Sequence, residues 1–105
     1  MDDYAIYTLD VFDKEMKKLS QGEQDRIEKL FLQLRENPHV GDQLRHNFFR
    51  EKRLNGKRIY YLIYDDLKVV LVVAISNKKT QQVTIDRIVR YFTEYRNYVE
   101  KLLNG

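Results

Sequence analysis

The chain reads as one α+β domain, residues 1–105, of order β-α-α-β-β-β-α: a small, mostly antiparallel sheet, an N-terminal helical pair and a long C-terminal helix. Three observations predict this. Apolar residues keep helical period before Asn37 and again from Ile85 onward. Asn55-Gly56, a dipeptide that favours two-residue hairpin loops, separates two strand-like runs. Val and Ile crowd the run from Lys68 to Ser76, the composition of a strand covered on both faces.

Taken in order, Tyr4 to Leu9 alternates large residues and suits a short strand. Asp10 can cap a brief helix carrying Phe12, Met16 and Leu19. Ser20 with Glu23 three residues later is a capping-box signature, and Ile27, Leu30, Phe31 and Leu34 follow at i, i+3, i+4, i+7. Asn37-Pro38 ends that helix, because the residue before proline is pushed out of the helical region. Strands are predicted over Phe48–Leu54 and Lys57–Tyr64 around the Asn-Gly turn. Asp65-Asp66 makes the next turn and Lys68–Ser76 the last strand. After Asn77-Lys78-Lys79-Thr80, the positions Ile85, Ile88, Val89, Phe92, Tyr95, Val99 and Leu102 keep helical period to the end.

Composition removes several function classes. There is no cysteine, so a disulfide framework, a thiolate metal site and a thiol nucleophile are all excluded. Two histidines, His39 and His46, are too few for a His-based metal site, and neither metal nor cofactor is expected. The opening MDDYAIYTLD is acidic and lacks the apolar run of a signal peptide, and no stretch approaches the ~18–20 apolar residues of a membrane span. A cytoplasmic location follows as the expectation. No repeat or linker interrupts the sequence.

Charge is unevenly distributed. From Arg45 to Lys79 there are nine Lys/Arg against three acids, a net of +6, whereas the first 36 residues carry six Lys/Arg and nine Asp/Glu. Concentrated positive charge attracts phosphate. With Asn55-Gly56 as a two-residue loop, facing residues across the hairpin have numbers summing to 111, which sets Arg53 opposite Arg58 and Glu51 opposite Tyr60. Opposed like charges destabilise a sheet by up to ~1 kcal/mol unless an anion or carboxylate compensates them. The third strand returns beside the second, so Arg53, Lys57, Arg58, Lys78 and Lys79 are expected to converge at one end of the sheet. Surface strands also carry Lys and Arg simply to block edge-to-edge pairing. The recurrence of cations on three separate segments favours a binding role.

The runs FREKRLNGKRIYYLIY and VVLVVAISNKKTQQ resemble the sheet of the RelE/ParE toxin superfamily, the ribonuclease or gyrase-inhibiting halves of toxin–antitoxin pairs. The resemblance spans Tyr4 to Phe92 in element order. Glu51-x-Arg53 and Lys78-Lys79-Thr80 are similar to motifs of the HigB-like branch, and Arg58 matches the central arginine of the RelE branch. Lys79 falls where that branch has a later arginine, and Lys52 and Arg50 stand for its strand lysines. The branch's C-terminal tyrosine is not matched: Ile85 occupies its spacing and Tyr91 is the nearest candidate. No histidine lies near the loop for a Glu/His mechanism.

The resemblance implies a type II toxin acting as a metal-independent mRNA endoribonuclease on ribosome-bound message, held by a cognate acidic antitoxin in a hetero-oligomer. The alternative it implies is a ParE-like gyrase inhibitor or a catalytically inactive relative. On the first reading the catalytic candidates are Arg58, Arg53, Glu51, Lys79 and Lys52, and the RNA-binding candidates are Arg50, Lys57, Lys78 and Tyr91. Metal-free cleavage needs the 2′-hydroxyl deprotonated, the phosphorane charge stabilised and the 5′-oxygen protonated. Arg58 and Arg53 can grip a phosphate bidentately. Glu51 is the best-placed carboxylate for a base, and equally the natural cross-strand partner of both arginines. A lysine serves as the acid. The stripe of Tyr91, Tyr95 and Tyr98 is more suited to packing or partner contact than to base stacking.

Overall fold

The computed structural model describes residues 3–105, and it begins with strand β1, Ala5–Thr8. Helices α1 (Asp10–Lys17) and α2 (Gln21–Glu36) follow, then a short 3-10 turn at Pro38–Val40. Strands β2 (Asp42–Leu44), β3 (His46–Leu54), β4 (Lys57–Tyr64) and β5 (Val69–Ser76) precede helices α3 (Gln81–Arg90) and α4 (Phe92–Asn104). The sheet order is β1-β5-β4-β3-β2, with β1 parallel to β5 and every other pair antiparallel. This is the predicted α+β class and mostly antiparallel sheet.

Local chemistry explains most boundaries. The Ser20 hydroxyl accepts from the Glu23 amide at 3.2 Å while the Glu23 carboxylate accepts from the Ser20 amide at 3.1 Å, the reciprocal capping box read from the sequence. Asp10 does not cap α1; Leu9 holds that position without a side-chain bond, and Asp10 is the first helical residue, where its charge meets the positive end of the helix. Asn55 and Gly56 both have positive φ, 53° and 84°, as a type I′ turn requires.

Three further features depart from the sequence reading. Strand β2 is an added edge strand, three residues long and too short to show periodicity. It is fixed from outside: Tyr61 donates its hydroxyl hydrogen to the Pro38 carbonyl at 2.7 Å and accepts from the Gly41 amide at 3.0 Å. A Cβ on Gly41 would sit 2.6 Å from that hydroxyl oxygen, so only glycine lets the chain pass so close. Strand β3 starts two residues earlier than predicted, at His46. The long C-terminal helix is two helices, broken at Tyr91 (φ −109°, ψ 18°). No glycine or proline marks that break. It lets α4 set Phe92 against Phe49, His46 and Phe48, with ring centroids 5.1–5.5 Å apart, and lets Arg96 reach Asp66.

Strand alternation divides the core in two. Ile59, Tyr61, Ile63, Val70 and Val72 pack under α1 and α2 with Phe12, Ile27 and Leu34. Phe49, Tyr60, Leu62, Leu71 and Val73 face α3 and α4, with Ile85, Ile88 and Val99. Each fully buried aliphatic side chain contributes about 1.5–3 kcal/mol, and strands β4 and β5 are buried almost throughout.

Candidate functional site

The hairpin register follows the sum of 111 at every pair, with Arg53 opposite Arg58 and Glu51 opposite Tyr60. Residues 51 and 53 of β3 and residues 58 and 60 of β4 therefore share the face that packs on α3 and α4. On β5, Tyr60 pairs with Ala74 but Tyr61 pairs with Val72, so Val73 is the extra residue of a β-bulge. Both Val73 and Ala74 consequently face α3 and α4. The bulge shifts the alternation so that Ser76, paired with Arg58, joins the same face.

These residues form a polar cluster at the turn end of the sheet. Glu51 is nearly sealed, its side chain 3% exposed, between two arginines: Arg58 Nε lies 3.7 Å from Oε1 and Arg53 Nε 3.9 Å from Oε2. Arg58 is 8% exposed and Arg53 65%. Gln81, the first residue of α3, donates from Nε2 to Glu51 Oε1 at 2.8 Å. Ser76 donates to the Asn77 carbonyl, so the Tyr60 hydroxyl, 2.8 Å from Ser76 Oγ, is the donor in that bond. Burial holds the Tyr60 phenol above its ordinary range, and the negative charge of Glu51 adds to the effect.

Lys78 and Lys79 are exposed on the Asn77–Thr80 connection that leaves β5 at this end of the sheet. The connection is closed by Asn77, whose Oδ1 accepts from the Thr80 amide at 3.0 Å and from its hydroxyl at 3.1 Å. The structure thus brings together Glu51, Arg53 and Arg58, with the Lys78–Lys79 loop starting one residue beyond Ser76.

Other candidates fall elsewhere. Lys52 pairs with Ile59, and Lys57 with Leu54, on the face turned toward α1 and α2. There the Ser20 hydrogen bonds hold the Glu23 carboxyl below its usual range, with the charges of Lys57 and Arg26 adding to the effect. Arg50 lies on that second face as well and is spent on structure. It donates to the Gly41 carbonyl at 3.0 Å and the Asn47 carbonyl at 2.9 Å, and it contacts His39 Nδ1 at 3.2 Å. Tyr91, 43% exposed, stands at the α3–α4 break beside Tyr95, ten residues from Gln81 and so about 15 Å along the helix axis. Lys57 sits at the same turn end, closing the hairpin opposite Leu54, but on the face away from Arg53 and Arg58. Alternation at the stated register already separates Lys52 and Lys57 from Arg53 and Arg58.

Tyr60, Ser76 and Gln81 were not singled out by sequence reasoning. The register gives Tyr60 directly. Ser76 depends on a bulge that no residue type announces, and Gln81 on how α3 packs. Among the described residues no group of three or more His, Asp or Glu side chains is placed to hold a metal ion. A separate groove of about 440 Å³, lined by Phe48, Leu62, Tyr64, Phe92 and Arg96, includes none of these polar residues. The cluster has a buried base, Glu51 and Arg58, and an exposed rim of Arg53, Lys78 and Lys79 that can meet an extended anion.

No protein-family description matches this sequence, and no curated protein does. Solved structures do. A double-arginine mutant of the E. coli toxin RelE in its free state superposes with a TM-score of 0.71 at 18% identity, covering 84% of this chain and 97% of RelE. The RelE–RelB complex of Pyrococcus horikoshii matches with a TM-score of 0.68 at 16% identity, over 74% of this chain and 97% of that one. The Mycobacterium tuberculosis toxin–antitoxin complex RelBE2 gives 0.63 at 19% identity, over 72% and 99%. The chain has the RelE fold.

Proposed function

We propose that this chain is the toxin of a type II toxin–antitoxin pair, a metal-independent endoribonuclease that cuts mRNA, acting on ribosome-bound message in the cytoplasm. The observation that carries the reading is the Glu51–Arg58 pair, backed by Arg53, on a RelE-fold sheet whose last strand delivers two exposed lysines to the same end. One matched structure is described as a toxin, a second as a toxin–antitoxin complex and a third as a RelE–RelB complex, which supports a cognate antitoxin as partner and a hetero-oligomer as resting form. Among the described residues no helix is long and apolar enough to cross a membrane.

In this mechanism Lys78 and Lys79 hold the RNA backbone as point charges, the 2′-hydroxyl passes its proton to solvent water, and Arg58, helped by Arg53, stabilises the phosphorane formed as the 2′-oxygen attacks phosphorus. Lys79 protonates the departing 5′-oxygen. The products are a 2′,3′-cyclic phosphate and a 5′-hydroxyl. Glu51 orients the arginines rather than taking the 2′-proton, because its carboxylate is buried and already faces two guanidinium groups and an amide donor. Lys52 and Lys57, on the opposite face, serve substrate or ribosome contact at a distance from the cleaved bond, whereas Arg50 is held by its structural bonds.

One observation favours a non-catalytic binder of the same fold: Tyr91 is held at a helix junction, remote from the start of α3. Incubating the purified chain with RNA in EDTA separates the two. Cleavage supports the ribonuclease, and intact RNA with inhibition of gyrase supercoiling supports the binder.

A further inference from the structure

One carboxylate oxygen in the site has two suitors. Glu51 Oε1 accepts from Gln81 Nε2 at 2.8 Å, whereas Arg58 Nε stops at 3.7 Å from the same atom, beyond hydrogen-bond range. That Nε is buried and has no partner. An orphaned buried donor is costly, and native folds rarely keep one without a use. Arg58 is also mostly covered, at 8% exposure, and its buried nitrogen is Nε, so the guanidinium meets an anion without the carboxylate bond that would fix its plane.

Gln81 holds the oxygen that would supply that bond. It is half-buried, begins α3 and follows Lys79 by two residues, so a phosphate drawn to the lysine loop pulls directly on the turn that carries it. We propose that Gln81 is a positioning residue, a latch on Glu51 Oε1 that keeps Arg58 unseated until substrate engages the Lys78–Lys79 loop. On release, Arg58 Nε takes the vacated oxygen. With Nε fixed, the two terminal nitrogens of the planar guanidinium are left to face phosphate as a fork. Backbone contact then precedes arginine seating, so an anion that cannot reach the lysine loop does not open the site. The latch itself rests on the free protein's geometry, and its consequence for RNA rests on the ribonuclease reading above.

The Nε–H resonance of Arg58 in the ¹⁵N-labelled full chain, assigned by its loss in Arg58→Lys, reads the latch without any reaction. Gln81→Leu removes the donor at similar size, and Gln81→Ala is the second variant should leucine disturb α3. The latch predicts a downfield shift of the Arg58 Nε–H in both variants as it acquires the carboxylate, and the same shift when wild type binds a 2′-O-methyl RNA oligonucleotide, which cannot be cleaved. In kinetics it predicts KM lower by about three- to tenfold, the scale of one released hydrogen bond, with kcat within twofold. A merely structural Gln81 predicts the opposite, a raised KM and an unmoved resonance. An unshifted Arg58 Nε–H in folded Gln81 variants overturns the latch. A shifted resonance in a protein that neither binds nor cuts RNA keeps the latch and overturns the ribonuclease reading.

Discussion

Arg53 and Arg58 face each other directly across the β3–β4 hairpin, yet the Arg53 side chain is open to water and the Arg58 side chain is buried. Their like charges are reconciled by Glu51, which sits on the same face between them. Such a placement makes Arg58 half of a buried ion pair before it is anything else, and this sets what substitutions there can report.

Arg58→Ala is expected to destabilise the fold by about 3–5 kcal/mol, because it strands a buried carboxylate. Arg53→Ala, on the exposed side, should cost no more than about 1 kcal/mol. Replacing the pair together, Glu51→Leu with Arg58→Met, should recover most of the loss. Urea unfolding of the three variants checks the set.

Glu51→Gln separates the orienting role from general-base catalysis. An orienting Glu51 predicts single-turnover cleavage within several-fold of wild type and a stability loss of about 1–3 kcal/mol as charge is removed beside Arg58. A base predicts cleavage down by ~10²–10⁴ with affinity for uncleavable RNA unchanged.

Lys78→Ala with Lys79→Ala should weaken RNA binding and flatten its dependence on salt. Each lost phosphate contact on a single strand removes about 0.7 from the slope of log K against log salt, so two contacts remove about 1.4. Fluorescence anisotropy from low to moderate salt measures it, and an unchanged slope removes both lysines from the backbone contact.

The far end of the sheet carries a pH-sensitive anchor for α4. Arg96 donates to both Asp66 oxygens, at 2.7 and 3.0 Å, and these bonds hold the Asp66 carboxyl below its ordinary range. A carboxyl depressed in the folded state contributes stability that is present above its unfolded value and lost as pH falls through the folded one. Carbon-detected NMR titration should place Asp66 below a normal aspartate, and Arg96→Ala should return it to the ordinary range.

Much of this was legible in the residues, and the exceptions have physical causes. Asn55-Gly56 set the turn and thereby every hairpin pair, because a two-residue loop leaves one register. Ser20 and Glu23 announced α2 through a local hydrogen-bond exchange. Strand β2 and the break at Tyr91 could not be read, since each is imposed by distant packing: Tyr61 on Pro38 and Gly41 in one case, Phe92 among Phe48 and Phe49 in the other. The site was legible to the extent that alternation governs it. Glu51, Arg53 and Arg58 share a face by period two, and the same period sends Lys52 and Lys57 to the other. Gln81 and Ser76 arrive through a helix packing and a bulge, which leave no local signal.

Metal-free ribonuclease action is tested most directly by single-turnover cleavage of a defined RNA by the purified chain in EDTA, beside Arg58→Lys, which keeps the buried charge but loses the planar fork. We expect metal-free cutting to a 2′,3′-cyclic phosphate and a 5′-hydroxyl, slowed by ~10²–10³ in a folded Arg58→Lys protein. RNA left intact by wild type on free and ribosome-bound message, or full activity in folded Arg58→Lys, would contradict it.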